Sequence, residues 1–139
     1  MSSVEEILGG CPLFEGVKPK DLRQLAKDAH EMTFPAGKTL AETDQFGSAF
    51  FVVVDGQVEV SIGGHVIRTC GAGGYFGEMA VIDKDVRSAT VTATKDTTCL
   101  VFGRPVFRTF VRNHTEVSWA LLEALVARVR DAEHRLAPV

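Results

Sequence analysis

The chain has 139 residues, 45% of them apolar and 24% charged, with a formal net charge of -3 and a sequence pI near 5.8. This is one domain of ordinary globular balance, which excludes a disordered or fibrous chain and offers no general attraction to nucleic acid. The longest apolar stretches, such as Ala49–Val54, fall far below the roughly 18 residues of a membrane-spanning helix, and residues 1–10 lack the cationic start and apolar core of a secretory leader.

Three zones follow from changes in periodicity along 1–139. In residues 1–30, Ser3 stands three positions before Glu6 in a capping-box pattern that opens a short helix, and Gly9-Gly10 ends it. Pro19 begins a second helix in which Leu22, Leu25, Ala26 and Ala29 recur at helical spacing, with Asp21, Arg23, Lys27 and Asp28 left to solvent.

Residues 31–102 change to a period of two. Met32 and Phe34 alternate before Pro35-Ala36-Gly37, Val52 and Val54 precede Asp55-Gly56, and Val58, Val60 and Ile62 alternate up to Gly63-Gly64. Asp-Gly and Gly-Gly turns between such runs are hairpin signals. Val91 and Ala93, then Thr97–Phe102, add the last strands. The expected class is mainly β with flanking helices: an antiparallel jelly-roll barrel, a helical preface and C-terminal helices.

Helical period returns over 105–136, first in Val106, Phe107, Phe110 and Val111, then over Thr115–Leu136. Leu122, Leu125, Val129, Ala132 and Leu136 form a narrow seam at three- and four-residue spacing. It fits packing against the chain's own barrel and pairing with a twin helix in a homodimer equally well.

One stretch, residues 74–90 with the preceding Gly71-Ala72-Gly73, obeys neither period. Its glycines weaken a strand, so the barrel is expected to open here and let the backbone approach a ligand. Glu78 and Arg87 flank a short apolar run with room for a single helical turn. The free N–H groups of that turn, with Ser88 and Ala89, would make a concave donor set for an anion. Arg87 offers a planar fork to two phosphate oxygens, whereas Glu78 only accepts and would face a hydroxyl. A ribose joined to a compact phosphate satisfies both. The competing reading is an ordinary exposed ion pair, which contributes about 0–1 kcal/mol.

Phe76-Gly77-Glu78-Met79-Ala80-Val81-Ile82, followed by Arg87-Ser88-Ala89-Thr90-Val91, resembles the phosphate-binding cassette of the cyclic nucleotide-binding domain family, whose members include catabolite activators and protein kinase A regulatory subunits. Leu13-Phe14-Glu15-Gly16, Leu22–Leu25, Pro35-Ala36-Gly37 and Phe51–Val60 extend the resemblance over most of the chain. It implies that Glu78 takes the ribose 2′-hydroxyl and Arg87 the cyclic phosphate. Ser88 and Ala89 would add a hydroxyl and amides, and Gly77 would permit close approach. Val86 stands where the family usually has proline, and Thr43-Asp44 where a Gly-Asp turn is usual.

The resemblance further implies that the long C-terminal helix caps the base, with Trp119, Arg128, Val129 and Ala132 as lid candidates. Ala132 and Glu133 occupy the positions where helix hydroxyls contact adenine in the catabolite activator branch. Serine after the arginine, where cyclic GMP-selective members often have threonine, favours cyclic AMP, with cyclic GMP as the second ligand. In that branch a helix-turn-helix follows the position of Val139. A free-standing module and the effector portion of a longer chain both stay open, and the downstream protein partner is unknown.

Catalysis finds little support. His30, His65, His114 and His134 are dispersed, and no metalloprotease, Walker or nucleophile-elbow pattern occurs. Cys11, Cys70 and Cys99 are odd in number and lack C-x-x-C spacing, so no metal is expected and a cytoplasmic setting fits. A ligand-controlled regulatory module leads. A degenerate domain of the same fold acting through protein contacts, and a small-molecule barrel enzyme, are the alternatives.

Overall fold

The computed structural model describes residues 3–41, 49–83 and 89–136. The preface holds α1 (Val4–Gly9), a 3-10 turn (Pro12–Phe14) and α2 (Pro19–Ala26). The Ser3 hydroxyl accepts the Glu6 N–H as the capping box requires. Helix α2 stops at Ala26, short of Ala29, because Asp28 and Ala29 donate to the carbonyls of Leu25 and Ala26 three residues back, closing the helix in tight turns.

Among the described residues eight strands follow: β1 (His30–Phe34), β2 (Thr39–Ala41), β3 (Ala49–Asp55), β4 (Val58–Ile62), β5 (His65–Cys70), β6 (Tyr75–Phe76), β7 (Thr90–Ala93) and β8 (Thr97–Gly103). They form two antiparallel four-stranded sheets, ordered β1-β8-β3-β6 and β2-β7-β4-β5. Helix α3 (Glu78–Asp83) lies between β6 and β7, and α4 (Arg104–Asn113) and α5 (Thr115–Leu136) close the chain. The expected class, a jelly roll with flanking helices, is the class observed.

Strand β3 explains the unbroken apolar run Ala49–Val54. Phe50 and Val52 enter a core shared with the preface and the C-terminal helices; Phe51 and Val53 enter a second core drawn from both sheets. A strand buried on both faces has no polar side to alternate. In the first core Phe50 stacks on Phe107 at 4.1 Å and meets Phe14 edge-on. In the second, Phe51 stacks on its cross-strand partner Phe76 at 4.6 Å. Cys11 and Cys99 are packing residues whose thiols burial pushes up to about 11 and about 12.

Three expectations gain local detail. Strand β1 sits at a sheet edge, so Met32 is largely exposed while Phe34 packs on the second core. Gly71, Gly73 and Gly74 carry the chain from the second sheet to the first, and Gly77 beyond them borders a cavity. Gly73 donates to Val53 O and Val53 to Gly74 O, both at 2.8 Å. On α5 the residues buried within this chain are Val117 and Leu121, whereas Leu122, Val129 and Leu136 of the seam face solvent. The seam is thus divided: Leu125 is half-buried and Ala132 borders a cavity against the second sheet, while the other three are exposed.

Gly56 turns β3 into β4 at φ +102°, where a Cβ would lie 2.5 Å from both Asp96 O and Thr97 Oγ1. Backbone strain and overlap then act together, because Thr97 is itself held by Gln57 N and Lys95 O. Gly56→Ala is expected to cost about 3 kcal/mol in urea unfolding; a loss below about 1 kcal/mol would show that the turn relaxes freely.

Candidate functional site

A cavity of about 450 Å³ opens between the second sheet, the start of α3 and the last turns of α5. Strands β4, β5 and β7 supply an apolar floor that includes Val60, Ile67 and Val91, and Ala89 precedes β7 at its edge. Gly77, just before α3, lines it with Glu78 and Met79 of α3, and Arg128, Asp131, Ala132 and Arg135 line it from α5.

Glu78 is the unusual member. It is 2% exposed, placed at the first position of α3 directly after Gly77, whose φ of +93° bends the chain from β6 into the helix. A side chain rarely adopts that backbone angle, so glycine is required where the cassette turns. Arg128 of α5 donates through Nη1 to Glu78 Oε1. The second oxygen, Oε2, is buried without a hydrogen-bond partner among the described residues. A buried carboxylate oxygen left unpaired costs about 1–3 kcal/mol or more, which makes it an acceptor poised for a donor that enters the cavity.

The surrounding groups reinforce this. The Arg128 guanidinium carbon lies 6.0 Å from the centre of the Tyr75 ring, within cation–π range. Burial, then the Glu78 charge, holds the Tyr75 hydroxyl above its ordinary range. Arg68 of β5 adds a third guanidinium to those of Arg128 and Arg135, against the two carboxylates of Glu78 and Asp131. The described lining thus carries a net positive charge toward an anion, with one acceptor buried inside it. Arg135 and Asp131 pair at 2.9 Å across one helical turn in an exposed position.

Of the residues singled out in the sequence, Gly77, Glu78, Met79, Ala89, Arg128 and Ala132 meet at this cavity. Phe76 does not: it is packed in the second core against Phe51. Ala80 lies within α3. Arg87 and Ser88, like Val86 and Thr43-Asp44, lie outside the described residues. Of the four lid candidates, Arg128 and Ala132 border the cavity, whereas Trp119 and Val129 are exposed and are not among its lining residues.

Sequence reading passed over Ile62, Ile67, Arg68, Asp131 and Arg135. Folding the chain back at Gly63-Gly64 by itself pairs Val60 with Ile67; a register shift between Val60 and Ser61 brings Arg68 opposite Val60, and no sequence signal marks that shift. Asp131 and Arg135 were legible only as a solvent-side i, i+4 pair. Among the described residues no group of three or more His, Cys, Asp or Glu side chains converges as a metal site would.

The pairing of Arg128 with Glu78 yields a prediction. Arg128→Ala leaves the carboxylate buried and unpaired, and since the arginine is one-third exposed the loss is expected near 1–3 kcal/mol, below that of a fully buried pair. Combining it with Glu78→Gln should recover part of the loss in chemical unfolding. Strictly additive effects would mean that the pair carries no coupling.

Residues 31–114 match the family model described as the cyclic nucleotide-binding domain. The chain is 30% identical over 132 residues to the cyclic AMP receptor protein of Thermus thermophilus, covering 91% of this chain and 61% of that protein. It is 38% identical over 110 residues to human cGMP-dependent protein kinase 2, covering 73% of this chain and 14% of the kinase. The crystal structure of Thermus thermophilus catabolite activator protein superposes with a TM-score of 0.81 at 29% identity, covering 90% of this chain and 61% of that one.

Proposed function

The chain belongs to the cyclic nucleotide-binding domain family, and from that premise we propose that it binds cyclic AMP in the cavity between α3, α5 and the second sheet and answers by repositioning α5. One observation carries the reading. Glu78 is a buried carboxylate that lines the cavity and has one oxygen without a hydrogen-bond partner among the described residues, in a lining that is otherwise net positive. A carboxylate there repels a phosphate but accepts a hydroxyl, so it suits the ribose of a ligand whose charge is carried elsewhere. Arg87 and Ser88 are the proposed phosphate ligands, with the amides at Ala89 beside them. The regulatory role rests on α5, which supplies Arg128 to the pair and Ala132 to the cavity wall. A ligand that contacts α5 in one of its positions shifts the helix toward that position.

Cyclic GMP is the second reading, favoured by Arg68. Guanine presents two acceptors, O6 and N7, where adenine presents a donor and an acceptor, and a guanidinium in the wall suits the former. The similarity to the human cGMP-dependent kinase points the same way. The chain spans 61–62% of the length of the bacterial activators it matches, so the output is proposed to be a downstream protein segment or partner, with no catalysis by this domain and no direct nucleic-acid contact. No helix of the described residues is long and apolar enough to cross a membrane. The three unpaired thiols suit a reducing cytoplasm.

Calorimetric titration with cyclic AMP and cyclic GMP, followed by amide exchange, tests this reading. Arg87→Ala should lose about 2–5 kcal/mol of binding. Glu78→Gln should lose less, and little with a 2′-deoxy analogue. Exchange should slow in residues 74–89 and 119–132 together. No binding of either nucleotide would leave the degenerate-domain alternative, and protection confined to 74–89 would remove the movement of α5.

The exposed apolar residues of α5, namely Trp119, Leu122, Val126, Val129 and Leu136, recur at spacings of three, four, three and seven. That is the pattern of a helix seam facing a second helix, and we assign it to a homodimer. Val129→Glu should shift the sedimentation coefficient to that of a monomer; an unaltered coefficient would place any dimer contact elsewhere.

A further inference from the structure

Helix α3 has only six residues, too few to hold together on its own hydrogen bonds. Its final carbonyls have no donor within the helix. Arg108 of α4 supplies one: Nη1 donates to Val81 O at 3.2 Å and also to Ile82 O. A cation there meets the carbonyl end of the helix, where the local dipole attracts positive charge. These contacts join segments 26 and 27 residues apart, so they are a tertiary anchor. At the opposite end, Glu78 accepts from Arg128 of α5. The short helix is thus clasped at both ends by arginines, one from each C-terminal helix.

Arg108 does not line the cavity, and the cyclic nucleotide reading assigns it no role. We propose that it is a positioning residue for the ligand site. By tying the carbonyl end of α3 to α4, it sets the angle at which Gly77 and Glu78 are presented to the cavity. Through the same tie, occupancy of the cavity and the placement of α4 become one equilibrium. Coupling of this kind is reciprocal: whatever Arg108 contributes to binding, binding returns to the seating of α4. Val81 strengthens the tie, because its side chain is fully buried in the core that also holds Phe107 and Phe110 of α4. Both hydrogen bonds leave one nitrogen, so a single ammonium at this position can replace them, whereas a neutral apolar chain of similar length cannot.

The affinity arm of the test rests on the proposed ligand; the helix arm does not. Arg108→Met, Arg108→Lys and, as a control on the exposed side of α4, Arg112→Met are compared in the full chain. Without ligand, amide exchange in residues 78–83 of Arg108→Met should accelerate roughly tenfold relative to β3 and β8, with Arg108→Lys and the control near the original rate. In calorimetric titration with cyclic AMP, Arg108→Met should bind roughly tenfold more weakly and Arg108→Lys within about threefold of the parent. If Arg108→Met does not fold, Arg108→Gln takes its place, with the same accelerated exchange expected. Exchange in 78–83 within twofold of the parent, or equal losses of affinity in the Met and Lys variants, would overturn the proposal. If the parent chain binds no cyclic nucleotide, the proposed function fails while exchange in 78–83 still decides whether Arg108 anchors α3.

Discussion

The architecture depends on a sheet that is covered on both faces. Strands β3 and β8 send alternate side chains into two separate cores, one shared with the helices and one with the second sheet. Neither core is independent of the other, since each Phe of the β3 pair, Phe50 and Phe51, anchors a different one. At roughly 25 cal/mol per Å² of apolar area removed from water, the aromatic side chains that meet there are the largest contributors to both cores. The helices thereby gain a fixed seat: Phe107 stacks on Phe50, and α4 and α5 follow from that contact.

That seat places chemistry from distant segments at one cavity. Glu78 arrives on a six-residue helix launched by a positive-φ glycine, and Arg128 arrives 50 positions later on α5. The buried ion pair they make is not a strong source of stability, because taking two charges out of water opposes the attraction between them. Its consequence is conformational. It holds α5 against α3 while leaving one carboxylate oxygen with no donor among the described residues, and a group that supplies a donor changes the energy of that arrangement. His114 sits between α4 and α5 in a different setting, stacked on Phe110 with Nδ1 at 2.8 Å from Phe110 O and Nε2 at 3.6 Å from Asp21. The junction of the two C-terminal helices is therefore tied to the preface through Asp21 of α2.

The two faces of α5 divide the labour of that helix. Val117 and Leu121 are buried where the helix leaves α4, Arg128 and Ala132 border the cavity, and Trp119, Leu122, Val126, Val129 and Leu136 face solvent. A helix whose apolar residues exceed what its own chain can cover is suited to two partners at once.

Local periodicity determined the element types of this protein. The capping box at Ser3, the Pro19 start, the Asp55-Gly56 and Gly63-Gly64 turns and the two C-terminal helices are each set by interactions within a few residues, so they are legible in the chain alone. The compound pattern from Phe76 to Val91 likewise determined the family, because the spacing of a glycine, a carboxylate and an arginine is itself local. What only the tertiary structure decided was which groups share a site. Arg68 reaches the cavity because β5 returns along β4 with a register shift, Arg128 and Ala132 of α5 border it while Trp119 and Val129 do not, and Phe76 is packed in the core against Phe51. Those outcomes follow from long-range packing of one element on another, and no period within a single segment encodes the partner against which its face will come to rest.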